Sequence, residues 1–155
     1  MSDPVDEPTN APHRLEEALP RMRFAVEPGG FGLAGFAAPP GPDDLALLTG
    51  GGPAQLVREG GETTLLVPED DLAAVLERHP EARLERGLRW IRFECPMAWD
   101  LVGFLALVTG RLTEAGVPLG AVCGFSRDHL FVAERYLPAT RAALGELFPE
   151  VGGGR

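Results

Sequence analysis

Hydrophobic and polar positions change period several times along the chain, and each change predicts an element. Arg21–Val26 alternates briefly as a short strand does, and after Pro28-Gly29-Gly30 a second strand is predicted over Phe31–Ala37. Pro39-Pro40-Gly41-Pro42 breaks the chain. Asp43 is placed to cap a short helix running to about Leu48, which the glycines 50–52 end. Ala54–Arg58 and Thr63–Pro68 flank Glu59-Gly60-Gly61-Glu62 as a hairpin. Asp70–Glu77 reads as a helix with its carboxylates at the N-terminal end, where the macrodipole favours them.

The second half is patterned more strongly. Leu88–Cys95 alternates so that Ile91, Phe93 and Cys95 share the core face of a strand, which stops at Pro96. Trp90 falls on the opposite face, where it is expected to cover an interface or pack in a core. From Asp100 to about Gly116, Leu101, Leu105, Val108 and Leu112 form one stripe of an amphipathic helix, and Gly116 suits its C-terminal end. Leu119–Phe125 and His129–Ala133 read as two strands about a Ser126-Arg127-Asp128 turn. Pro138 opens a last helix to about Phe148, and the glycine-rich end is too short for a strong strand. The order strand–helix–strand–strand–helix thus occurs twice, which predicts an α+β protein of two split βαβ, ferredoxin-like modules packed side by side. The surplus strand Arg21–Val26 is expected to complete the sheet of the second module.

Composition refines this picture. The 155 residues carry a net charge of −9, and all 14 basic residues are Arg. Without Lys there is no Schiff-base chemistry, which excludes pyridoxal-phosphate enzymes, and no phosphate-cradling P-loop. The missing Lys also fits a GC-rich coding bias and signals no chemistry by itself. Residues 1–20 hold four of the prolines and five of the acids, and read as a disordered acidic, Pro-rich tail; only Leu15–Leu19 can form a helical turn. The modules are expected at 21–86 and 87–150. Acidity and scattered Arg argue against nucleic acid, and no run is long and apolar enough for a membrane span. The absence of a signal-peptide pattern points to the cytoplasm, with Cys95 and Cys123 reduced.

A resemblance enters at residues 96–133. Asp100 stands three residues before Gly103, and the following apolar helix ends in Leu112-Thr113-Glu114-Ala115-Gly116-Val117. That pattern resembles an ACT domain. Val122-Cys123-Gly124-Phe125-Ser126-Arg127-Asp128-His129-Leu130-Phe131-Val132 is similar to the hairpin of short bacterial proteins built from two ACT modules, related to the ACT pairs of aspartate kinases and CASTOR-type arginine sensors. Cys123 and Gly124 stand where that hairpin has a Ser-Thr pair, and Arg127 and His129 replace Thr and Tyr.

The resemblance implies a non-catalytic, regulatory protein that senses an amino acid or related metabolite held between its modules, acting as a homodimer on a separate regulated protein. The ligand-facing residues it implies are Met97, Trp99, Asp100, Val102, Gly103, Phe104, Cys123, Gly124, Phe125, Ser126, Arg127 and Asp128. Physically, amides at a helix start suit a carboxylate, and Asp100 or Asp128 can take an ammonium. Equally, Asp100 can simply cap its helix, Gly103 allow close packing, and Ser126–Asp128 serve as a solvated turn. Trp99 can wall a site or staple the helix start. The alternative reading is an interaction or oligomerisation module whose ligand site has decayed. A thiol enzyme would need Cys123 beside His129 as base. His79, Cys95, Cys123 and His129 lack metal-ligand spacing, and no cofactor is expected.

Overall fold

The structure, a computed structural model, describes residues 10–152. Those residues form two compact units. One comprises 10–28 and 90–152 (the composite unit); the other is Gly29–Arg89 (the central unit).

The central unit runs β2 (Phe31–Phe36), α2 (Pro42–Ala46), β3 (Gln55–Glu59), β4 (Glu62–Pro68), α3 (Leu72–Arg78) and the first half of β5 (Arg83–Phe93). The composite unit holds α1 (Leu15–Ala18), β1 (Phe24–Val26), the second half of β5, α4 (Phe104–Glu114), β6 (Gly120–Cys123), β7 (Asp128–Ala133), α5 (Leu137–Gly145) and β8 (Glu150–Val151). The central unit is therefore a βαββαβ, and the composite unit is one from β5 to β8 with α1 and β1 added; the protein is α+β with ferredoxin-like units.

In the central unit the antiparallel order is β3–β4–β2–β5. Thr63, Leu65 and Val67 alternate onto one face of β4, and Leu65 and Val67 pack with Ala34, Phe36, Leu72 and Val75 in the core. Arg83–Gly87, too charged to read as strand, joins the sheet because β2 supplies the partner backbone. A register shift opposite Phe31–Leu33 leaves one extra residue in β5, and Gly87 there takes the positive φ of 66°. Asp43 does not cap α2. Gly41 does, and the carboxylate of Asp44, three residues on, accepts from its N–H at 2.8 Å.

In the composite unit β7 and β6 extend from β5 on one side, with β1 and β8 on the other. β1 pairs antiparallel with β5 (Phe24 opposite Phe93), so the surplus strand does complete this sheet. The short C-terminal segment is also a strand, because β8 needs only β1 beside it, in parallel. Part of the expected tail is packed as well: Ala18 and Met22 are fully buried, and Leu15 and Leu19 lie against the core, apolar anchors spaced like one helical face. Residues 1–9 of that tail lie outside the described residues.

Helix α4 begins at Phe104, later than Asp100 suggested, because Gly103 as N-cap adopts φ 100°. Its end explains the Leu-x-x-Ala-Gly-Val pattern. Gly116 (φ 68°) lets its N–H reach the Thr113 carbonyl and lets Val117 N–H reach that of Leu112, while Leu112 and Val117 both enter the core. Among the described residues no helix is long and apolar enough to cross a membrane.

Candidate functional site

The strand β5 delivers the chain to Cys95, and Pro96 then forces it out of the sheet into a connection leading to Gly103 and α4. Opposite this connection stands the tip of the β6–β7 hairpin. Cys123 pairs with Asp128, leaving Gly124–Arg127 as the loop. The loop is closed by Gly124 N–H on the Arg127 carbonyl at 2.9 Å, and docked by Met97 N–H on the Ser126 carbonyl at 2.7 Å. Arg127 Nε donates to the Glu94 carbonyl at 3.3 Å.

Between these parts lies a cavity of about 320 Å³, within the composite unit. That is the low end of small-molecule sites, about 300–1,000 Å³, enough for one small metabolite. Met97, Trp99, Gly103, Phe104, Cys123, Gly124, Phe125, Ser126, Arg127 and Asp128, ten of the expected ligand-facing residues, line it. Asp100 and Val102 do not. Asp100 is exposed, its Oδ1 lying 2.7 Å from His13 Nδ1, a partner from the segment read as tail. Val102 points to solvent at 83% exposure. Leu101, Leu105 and Ala106 also line the cavity; α4 periodicity identified the first two only as core.

Two polar features converge there. The first-turn amides of α4, on Phe104, Leu105 and Ala106, have no intrahelical acceptor, and no side chain caps this terminus. The same lining holds Asp128, its one acidic residue, whose side chain also meets the Cys123 thiol. Apolar walls come from Met97, Trp99, Leu101, Phe104, Leu105 and Phe125.

The thiol reading meets two obstacles. On β6–β7, Cys123 pairs with Asp128 and Val122 with His129, so the thiol and the imidazole point to opposite faces of the hairpin. Partial desolvation, then the hydrogen bond and charge of Asp128, push the Cys123 thiol above its ordinary range. Burial, with the nearby Arg92 charge, holds His129 low. Cys123 should therefore alkylate more slowly than free cysteine at pH 7, and Asp128→Asn should speed it. Iodoacetamide labelling followed by mass spectrometry measures both; a wild-type rate above that of free cysteine would revive a thiol nucleophile. Among the described residues no group of three or more His, Cys, Asp or Glu side chains is placed to hold a metal ion. Trp90 is buried, edge-on to His129 with ring centroids 5.6 Å apart.

No family model matches this sequence, and no curated protein matches it. Solved structures do. An Agrobacterium tumefaciens protein superposes with a TM-score of 0.69 at 24% identity, over 86% of this chain and 95% of that one. A Vibrio cholerae protein gives 0.64 at 23%, over 83% and 91%. The ligand-free regulatory subunit of aspartate kinase from Thermus thermophilus gives 0.59 at 14%, over 81% and 96%. The chain thus has the fold of a regulatory subunit of that kind. It is the ACT-type fold, as the motifs at Asp100–Val117 and Val122–Val132 imply.

Proposed function

We propose that this chain is a non-catalytic regulatory protein that binds an amino acid or a closely related zwitterion in the cavity between the α4 N-terminus and the β6–β7 hairpin. The observation that carries this reading is the juxtaposition of unpaired first-turn amides and the Asp128 carboxylate on one small cavity. Amides at a positive helix end favour a carboxylate, and Asp128 favours an ammonium. A zwitterion satisfies both at once. The regulatory subunits that share the fold support the regulatory part of the reading, in which the bound ligand acts on a separate protein.

Thermal-shift titration tests this with matched probes: leucine, isopentylamine, which lacks the carboxylate, and 4-methylpentanoate, which lacks the amine. At a hundredfold excess over Kd, leucine should stabilise by about 2.7 kcal/mol. That is roughly 5–10 °C for a chain of this size. Neither single-charge probe should approach it, and Asp128→Asn should abolish the leucine shift. A flat response to all twenty amino acids would remove the reading.

The exposed apolar side chains Trp99, Val102 and Phe125 favour the second reading, an interaction or homodimerisation module with a decayed ligand site. It requires a stable dimer and no small-molecule response.

A further inference from the structure

Trp99 and Phe125 are 72% and 57% exposed, unusual for rings of this size. They come from different segments, the connection before α4 and the hairpin loop. Even so, their rings are nearly parallel, 15° apart with centroids at 6.3 Å, an offset stack. Both segments are tied down nearby, Met97 to Ser126 and Ala98 to Pro12 through backbone hydrogen bonds. The pair is therefore a held apolar shelf, and both of its rings line the cavity, whereas the still more exposed Val102 does not. Phe104 and Leu105 add apolar surface to the same lining.

We propose that the Trp99–Phe125 shelf is the side-chain subsite of the cavity and selects amino acids with a bulky apolar side chain, aromatic above all. This rests on the zwitterion reading, in which the α4 amides and Asp128 hold the ligand's charged end. A side chain leaving that end meets the shelf. A charged group laid there gives up hydration without a partner. Cation–π attraction would draw arginine to such rings. However, Arg127 is part of the lining, and Asp128, its one acid, is the group assigned to the ammonium. Asp100, the next acid, lies outside the lining against His13. Short side chains leave the rings wet.

The test uses Trp90→Phe protein, which leaves Trp99 as the sole tryptophan, since the sequence has two. It is titrated separately with phenylalanine, leucine, alanine, aspartate and arginine, following Trp99 emission and thermal stability. Phenylalanine and leucine should shift the emission to shorter wavelength and bind at least about tenfold more tightly than the other three. Such a ratio corresponds to about 1.4 kcal/mol. Adding Phe125→Ala should collapse the ratio of phenylalanine to alanine affinity towards one. Alanine or arginine binding as tightly as phenylalanine, or an unchanged ratio in Phe125→Ala, overturns the shelf and leaves the zwitterion site standing. Absence of binding by all five probes overturns both. A Trp99 shift that follows protein concentration, with a dimer in sedimentation, would assign the shelf to a second copy and likewise overturn it.

Discussion

Asp44→Ala is expected to lower stability by about 3–5 kcal/mol, the range for removing one partner of a buried charge pair. The Asp44 side chain is fully buried in the central unit. Its Oδ2 accepts from Gly41 N–H at 2.8 Å and lies 2.9 Å from His79 Nε2, while Arg78 Nε donates to Oδ1 at 2.9 Å. An ionised carboxylate only accepts, so His79 carries its proton on Nε2. The imidazole is also stacked on Phe36, centroids 3.7 Å apart, which fixes its plane. One carboxylate thus ties the start of α2 to the end of α3. Without it, Arg78 and His79 keep their positions but lose their acceptor.

The pH dependence has a definite sign. Burial works to raise the Asp44 pKa, but the Gly41 N–H and the His79 and Arg78 contacts outweigh it, leaving the group below its ordinary value. A depressed folded-state pKa gives stability that is complete above the unfolded value, about 3.9, and fades as pH falls through the folded value. Urea unfolding of wild type and Asp44→Asn should therefore show a gap that is constant from pH 5 to 7 and narrows below about pH 4. A gap under about 1 kcal/mol at pH 7 would mean the cluster holds little.

That cluster also marks a limit of sequence reading. Asp44 is readable as a first-turn acid of a short helix, but Arg78 and His79 lie far along the chain and no period connects them. What was legible is local: the α4 stripe, the Leu112–Val117 ending, the hairpin spacing about Gly60-Gly61, and the Ile91/Phe93/Cys95 face. Each follows from periodicity or from a glycine whose conformation the turn requires. Legibility fell where a partner supplies the order. Arg83–Gly87 reads as polar loop until β2 lies beside it, and Glu150–Val151 is a strand only because β1 is there. The site divides in the same way. Motif resemblance brought together residues on two segments that the structure places around one cavity. Asp100 lies outside the cavity lining against His13, a partner from a segment whose composition suggests disorder. Leu105 and Ala106 carry no such signal, because helical spacing assigns a side chain to a face and says nothing about a free amide at the helix start.

Phe104 joins the core to the cavity, and Phe104→Ala should cost about 3–5 kcal/mol. The residue opens α4 directly after the left-handed Gly103, so its ring turns inward beneath the helix terminus. There it meets Phe93 edge-on, centroids 4.9 Å apart at 88°, and Phe148 at 6.0 Å, with only 2% of the residue exposed. The same ring floors the cavity. Truncation removes buried ring surface and leaves a void that the strand β5 beneath cannot fill by relaxing. The urea midpoint should fall with an unchanged m-value, and Tm by roughly 10 °C. A double-mutant cycle with Phe93→Leu and Phe104→Leu should recover a coupling of about 0.5–1.5 kcal/mol for the edge-to-face contact. The ligand supplies a further constraint. Because the ring supports both α4 and the cavity floor, Phe104→Ala should reduce leucine's stabilising shift as well as the starting Tm. Val75→Ala, which empties part of the central unit's core, should lower Tm alone. Equal leucine shifts in all three proteins would show that the ligand does not rest on this floor.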